Sequence, residues 1–270
     1  MTISGHVTVT TAPPRHHRRD RAHLTADLHA ILHAAMQVES PLFKYHAGPH
    51  RRNQQDGLLF TAVGPNPDPE RWEATVWAPI APEAFLARAA AFFGDFQPYS
   101  VALEVGPTRA LEDALRERYW QLDEEEPAMV LSPIPTGLPS PPDELKVSRV
   151  SDDESYAAFF MVSATTQVPS LAAATAPGVA LLVGYVDGKP VTTGRLSVLD
   201  HVGGITSITT LESYRRRGYG AAMTLAVAAE AARRGCASAI LSATEMGYPL
   251  YVKLGFQQVC VYRTYVPPEQ

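Results

Sequence analysis

Apolar positions in the second half of the chain follow two rhythms. The runs "ELKVSRV", "VALLVGYV", "KPVTTGRLSVL" and "GGITSITTL" are rich in β-branched residues and predict strands, and Asp187-Gly188 between the second and third predicts a hairpin turn. By contrast, "SDDESYAAFFMVSA" opens with capping serine and aspartates before an apolar helical face. "GAAMTLAVAAEAARRG" is a second helix of strong formers, with cations in its last turn and Gly235 just past its end. The strand "SAILSA", the short helix "YPLYVKLG" and the strand "FQQVCVYRTYV" complete this half. Strands and helices in this order exclude an all-helical or all-β domain.

The first half repeats the succession. A helix from about Leu24 to Val38 precedes the strands "DGLLFTAVG" and "WEATVWA", the helix "PEAFLARAAAFFGD", the strand "YSVALEV", the helix "TRALEDALRERYW" and the strand "EPAMVLS". "LRERYWQLDEEEPAMVL" echoes "LYVKLGFQQVCVYRTYV", with Trp120 at the place of Phe256. Between the halves, Ser132 to Glu144 holds five prolines and one glycine, the composition of a stiff linker. The predicted organisation is a flexible tail over 1–21, a first unit over 22–132, a linker over 133–143 and a second unit over 144–270, in an α+β fold.

Composition narrows the classes. With 46% hydrophobic and 19% charged residues, the chain can bury an ordinary core. No run of about 18 apolar residues predicts a membrane span, and the basic, proline-containing start lacks the apolar stretch of a secretory signal. Cys236 and Cys260 match no disulfide framework or zinc spacing, so the chain reads as cytoplasmic, with no metal. The net charge of -5 comes from residues 1–142, with 12 basic and 17 acidic side chains, against 11 of each in 143–270. That balance gives no reason to expect a nucleic-acid partner. The run Glu124-Glu125-Glu126 reads as a solvated turn that could attract a cationic substrate.

The chemistry concentrates in "RRRGYG", Arg215 to Gly220, wedged between a strand and the alanine-rich helix. A turn there delivers unsatisfied backbone amides to a helix N-terminus, glycines allow close approach, and three arginines add charges suited to phosphate oxygens. The Walker and dinucleotide patterns both fail, because Ala221-Ala222 follow where the first needs lysine and Ser or Thr, and no third glycine stands near Met223.

Arg215-x-x-Gly218-x-Gly220, followed by "LYVKLGF" at Leu250 to Phe256, resembles the pyrophosphate loop and the tyrosine-containing signature of the GNAT superfamily of acyl-CoA-dependent N-acyltransferases. The likeness covers about 60 residues closely and the second half loosely. It implies two GNAT-like domains, each with a mixed, mostly antiparallel sheet flanked by helices, the first one degenerate. It further implies acetyl-CoA as cosubstrate, with Ile208, Thr209 and Thr210 along the pantetheine arm and Arg215, Arg216, Arg217, Gly218, Tyr219, Gly220 and Ala221 around the pyrophosphate. Thr244 stands where many members place an asparagine that contacts the cofactor, and Tyr251 matches the tyrosine that protonates the departing thiolate. Members often carry a glutamate on the strand before the phosphate turn, but Ile205 to Leu211 has none, leaving Glu245, Glu212 or a water chain as proton acceptor.

The expected reaction is acetyl transfer to a primary amine of a small molecule or peptide, with a non-catalytic acyl-CoA-binding module as the alternative. Between Trp77 and Arg88 the first half has neither glycine nor arginine, so it is expected to have lost cofactor binding and to serve as wall, substrate collar or dimer surface. Family habit and an exposed strand edge allow a homodimer. Acceptor identity rests on the loop Thr165–Gly178 and on the first unit, neither of which carries a recognisable code.

Overall fold

The computed structural model describes residues 16–42, 45, 50–64, 72–94, 99–163 and 170–268. The basic segment up to residue 15 and part of the 165–178 loop lie outside them. Helix α1 (His16–Gln37) precedes β1 (His50–Gln55), β2 (Leu58–Val63), β3 (Trp72–Val76), α2 (Pro82–Phe93), β4 (Ser100–Glu104), α3 (Arg109–Glu117) and β5 (Gln121–Leu131). The proline-rich stretch 132–145 contains no helix or strand. Then come β6 (Lys146–Arg149), α4 (Asp153–Ser163), α5 (Leu171–Ala174), β7 (Val179–Val186), β8 (Lys189–Leu199) and β9 (Val202–Thr210). A 3-10 turn (Glu212–Tyr214) leads into α6 (Tyr219–Arg233), β10 (Ser238–Ser242), α7 (Tyr248–Lys253) and β11 (Gln257–Val266).

Local chemistry accounts for most boundaries. The Asp152 carboxylate accepts the Ser155 N–H at 2.8 Å, while the Ser155 hydroxyl oxygen accepts the Asp152 N–H at 3.2 Å, a reciprocal cap that starts α4. Asp187 and Gly188 both have positive φ, 49° and 75°, as a two-residue hairpin turn requires. Two expectations need correction. Helix α1 begins at His16 rather than near Leu24, because arginine, alanine and leucine are all good helix formers and no breaker interrupts them. Glu124 to Glu126 lie inside β5 rather than in a turn, held there by the long ladder to β11 and by Arg263, whose Nε donates to Glu125 at 2.6 Å.

The strands form a single eleven-stranded sheet in the order β1-β2-β3-β4-β11-β5-β10-β9-β8-β7-β6. Among the described strands only β3·β4 and β9·β10 are parallel. Helices α2, α3, α6 and α7 cover one face, and α1, α4 and α5 the other. On the first face, Met223, Val227, Ala228 and Ala231 of α6 pack on Ala180, Leu196, Ile205 and Ala239. Full burial of a valine or methionine stabilises by roughly 1.5–3 kcal/mol relative to exposure, so this seam fixes α6 and the turn before it.

The order of strands reveals how the halves are joined. In the first half, β2·β3 is antiparallel, β3·β4 parallel, and β4 then pairs with β11, the last strand of the chain, before β5. In the second half β8·β9 is antiparallel, β9·β10 parallel, and β10 then pairs with β5 before β11. Each half lends its final strand to the other, so the two expected sheets are one. The echo between "LRERYW" and "LYVKLGF" is also structural. Trp120 N–H bonds to Leu115 O at 3.1 Å as Phe256 N–H bonds to Tyr251 O at 3.0 Å, and Tyr119 (φ 65°) takes the left-handed place of Gly255 (φ 91°).

Candidate functional site

A notch opens in the middle of the sheet. The parallel ladder between β9 and β10 has only three pairs, Val202 to Gly204 against Ser238 to Ile240, although β9 continues to Thr210 and β10 to Ser242. Beyond Gly204 the edge of β9 facing β10 has no strand partner among the described residues, and Thr206 to Thr210 are exposed or half-buried despite their central position. On the far side, β10 ends at Ser242 opposite Ala128, so β5 from Gln121 to Glu126 also lacks a β10 neighbour. The register shift between Thr193 and Arg195 of β8 diverts β9: Ser207 takes φ 54°, and two residues of β9 face Gly194. A side chain at Gly194 would strike Val227 and Ile208, at 2.7 and 2.8 Å, so glycine is needed where the bulge packs beneath α6. The parallel β3·β4 ladder of the first half instead pairs Glu73 through Val76 and leaves no notch.

The notch leads to the N-terminus of α6. Gly218 is its N-cap in the left-handed region (φ 83°), and the first amide to bond backward is that of Ala222, onto Gly218 O at 3.0 Å. The amides of Tyr219, Gly220 and Ala221 at the helix start therefore have no intrahelical acceptor and point outward with partial positive charge. Arg215, Arg216 and Arg217 are all exposed beside them. Arg215 Nε donates to Thr210 O at 3.1 Å, tying the turn to the end of β9, and Arg217 donates to Ser213 O at 3.2 Å with its guanidinium over the Tyr214 ring. The Tyr219 side chain is buried against Leu145, Val191 and Ala222, so only its backbone faces the turn. The Thr192 hydroxyl donates to Thr209 O at 2.8 Å and lies 3.0 Å from that of Thr210, which braces the strand leading into the turn. Unpaired strand edge, open amides and clustered guanidinium groups follow one another along the chain from β9 into α6, an arrangement suited to a long ligand that ends in phosphates.

Residues 150–256 match the model of the Acetyltransferase (GNAT) family. The chain carries a GNAT acetyltransferase domain. Among solved structures it is similar to a GCN5-related N-acetyltransferase from Kribbella flavida, with a TM-score of 0.67 and 18% identity over 91% of this chain and 96% of that one. A functionally unknown conserved protein from Staphylococcus epidermidis ATCC 12228 superposes with a TM-score of 0.58 at 13% identity, over 84% of this chain and 98% of that one. A tandem GNAT protein from the clavulanic acid biosynthesis pathway gives 0.55 at 14%, over 84% and 86%. At these identities the likeness is one of fold. No curated protein matches the chain in sequence.

Within the GNAT domain, Tyr251 of α7 is 8% exposed and lies against Phe256 and Gly247. Burial, and then the charge of Glu126, push its phenol above the ordinary tyrosine value, so it is protonated at neutral pH. Thr244 closes the turn before α7, whose N-cap is Gly247: its hydroxyl oxygen accepts the Gly247 N–H at 3.2 Å and its carbonyl accepts the Tyr248 N–H at 2.9 Å. Glu245 is exposed in the turn between β10 and α7, and Glu212 is exposed at the start of the 3-10 turn.

Two groups on the α1 face of the sheet escape a reading of the sequence. Glu126, at the half-buried end of the open segment of β5, lies close to the side chain of Ser242, the exposed last residue of β10, which offsets part of its pKa shift. Burial and the charge of Glu124 push the Glu126 carboxyl above the usual carboxylate range. Farther along the same face, Glu104 is buried beneath α1, where its carboxylate accepts from Tyr262 Oη at 3.2 Å and meets His29 Nε2 at 3.2 Å and His33 Nε2 at 2.8 Å. Burial alone would raise its pKa, but these partners outweigh it and hold the carboxyl below its ordinary value. With Cys260 Sγ, His29 and Glu104 bring three potential ligand atoms within 4.8 Å of one another. Their positions, 29, 104 and 260, share no spacing that a sequence could signal.

Proposed function

We propose that this protein is an acetyl-CoA-dependent N-acetyltransferase that acts on a primary amine of a small molecule or peptide, and that its first half has no cofactor site of its own. The observation that carries the reading is the open edge of β9 leading into the free amides at the start of α6 beside three exposed arginines, which suits an elongated ligand bearing phosphates. Backbone groups of Ile208 to Thr210 would flank the pantetheine arm, and the segment Arg215 to Ala221 would hold the diphosphate. The cosubstrate supplies an activated acetyl group. Strand N–H groups facing the notch steady charge on the carbonyl oxygen, and the protonated phenol of Tyr251 lies near the notch as a donor for the leaving sulfur.

The second half lacks a carboxylate on β9, and the Thr244 hydroxyl oxygen accepts from Gly247 N–H in the turn before α7, which favours a second reading as an acyl-CoA-binding module without turnover. Titration calorimetry of the full chain with acetyl-CoA, followed by thiol release in the presence of primary amines, separates the two. The enzyme binds and releases thiol only with an amine present, whereas the module binds without release. Absence of binding refutes both. Cys236 and Cys260 are free thiols, in keeping with a cytoplasmic setting, and the edge strands β1 and β6 leave room for a homodimer, which sedimentation would reveal. No described helix is long and apolar enough to cross a membrane.

A further inference from the structure

The GNAT domain does not carry its own base: we infer that Glu126, delivered by β5 from the first half of the chain, accepts the proton of the incoming ammonium group. This rests on the N-acetyltransferase reading above and names the residue that reading lacks.

Four observations converge on it. Strand β5 replaces what would otherwise be a strand of the second half, running between β10 and β11 along one wall of the notch. Where β10 stops, Ala243 N–H donates to Pro127 O at 2.9 Å, so Glu126 is the first residue of β5 beyond the last contact with β10. Side chains alternate along β5. Met129 and Leu131 pack under α6 and α7, while Ala128 and Val130 face α1, which puts Glu126 and Ser242 on the α1 face. The phosphate turn and Tyr251 belong to the opposite layer, so in this proposal the two substrates reach the notch from opposite faces of the sheet. A thioester entering along β9 and an amine entering from the α1 side would meet beside Glu126.

The surroundings suit the task. The groups around Glu126 on the α1 face are Glu124 on its own strand, Glu73 of β3, Ser242 of β10 and Tyr262 opposite on β11, and its charge also acts across the sheet on the Tyr251 phenol. Glu73 is itself held above the carboxylate range by burial, despite a 2.6 Å hydrogen bond from Thr75. The neighbouring negative charges make a cationic amine the favoured visitor and raise the proton affinity of Glu126, as a base working near neutral pH needs. The proton account closes. The ammonium gives one proton to Glu126, which passes it to water, and the free nitrogen forms a C–N bond to the acetyl carbon as the C–S bond breaks. The phenol of Tyr251 protonates the departing sulfur, and the second nitrogen proton returns to the phenolate.

The test compares full-length wild type with Glu126→Gln and Glu124→Gln. Acetyl-CoA affinity is measured by calorimetry. Thiol release is measured with putrescine, glucosamine and lysine methyl ester, and with hydroxylamine, whose nitrogen is already largely neutral at pH 7. Glu126→Gln should leave acetyl-CoA affinity within about twofold while lowering kcat for the alkylamines about 100-fold or more, the scale of a lost general base. The loss should be much smaller for hydroxylamine. Glu124→Gln removes a charge that raises the pKa of Glu126, so the acid limb of its kcat/KM profile should move to lower pH. If the wild type acetylates an alkylamine and Glu126→Gln does so at a similar rate, or loses equally with hydroxylamine, the inference is wrong and the transferase reading stands. If the wild type binds no acetyl-CoA or releases thiol with none of these amines, both fall together.

Discussion

Two glycines in the phosphate turn should respond in opposite ways to the same methyl group. Gly218 has φ 83°, and a Cβ added there meets nothing within 4 Å, because it projects into the open space at the mouth of α6. An L-residue in the left-handed region costs roughly 1–2 kcal/mol, offset by about 0.4–1 kcal/mol from a less flexible unfolded chain. Gly218→Ala should therefore lose about 1 kcal/mol of stability, a fall in Tm of about 2–4 °C for a chain of this size. At Gly220 the new Cβ points back into the protein, 3.5 Å from Thr210 Oγ1 and 3.7 Å from Leu250 Cδ2, which is ordinary contact. In the first turn of a helix alanine is better than glycine by roughly 0.5–1 kcal/mol, so Gly220→Ala should hold or raise Tm. Acetyl-CoA at about 100 times its Kd adds about 2.7 kcal/mol of apparent stability, and a tenfold weaker Kd removes about half of that. Thermal unfolding with and without acetyl-CoA should show a ligand-induced shift roughly halved in Gly218→Ala and unchanged in Gly220→Ala. A full ligand shift in Gly218→Ala would falsify the placement of the diphosphate at this turn.

Further outcomes follow from other parts of the molecule. Tyr251→Phe should retain acetyl-CoA binding in calorimetry and lower kcat by about 10–100-fold, and an unchanged kcat would assign Tyr251 to packing alone. Glu104, with its carboxyl held below the ordinary value of 4.5, adds stability that is complete above that value and lost as pH falls through its lower folded value. Glu104→Gln should thus lower Tm at pH 7 and flatten its decline below pH of about 4.5, and parallel curves would contradict the His29–Glu104–His33 account. Residues 1–137 and 138–270 expressed separately should each fail to give a cooperative melt, since each lacks a strand within its sheet, and should recover one on co-expression. A cooperative melt from either piece alone would contradict the exchange of β5 and β11.

What the sequence revealed follows from how local each signal is. The turn Arg215 to Gly220 and the segment Leu250 to Phe256 are legible because helix starts, glycine placement and short-range capping are set within a few residues. The notch is less so. Its bulge puts Ser207 at φ 54° inside a run of threonine and isoleucine that reads as a regular strand, and the decisive small residue, Gly194, lies on the neighbouring strand. The resemblance of Trp120 to Phe256 showed that the halves echo each other, but an echo is compatible with two separate sheets. Only the register of Gln257 to Val266 against both β5 and β4 shows the exchange. Glu126 was hidden for the same reason, as one of three consecutive glutamates whose distinct environments come from tertiary pairing. Glu125 reaches Arg263 on one face, while Glu126 meets Ser242 on the other.

The exchange explains why a first half without a phosphate turn remains attached to the second. Its β3·β4 ladder has closed, and Leu115 stands at the place of Tyr251, so on its own account it offers neither groove nor phenol. Yet removing it would take β5 from between β10 and β11, uncover Leu241, Ala239 and Phe256 at the centre of the larger core, and erase one wall of the notch. The cofactor turn can therefore be lost from the first half with little effect on the sheet, whereas β5 cannot. If Glu126 is the base proposed above, the first half contributes to the active site through a single strand, and Glu73 and Glu124, whose charges act on Glu126, lie outside the 150–256 segment matched by the family.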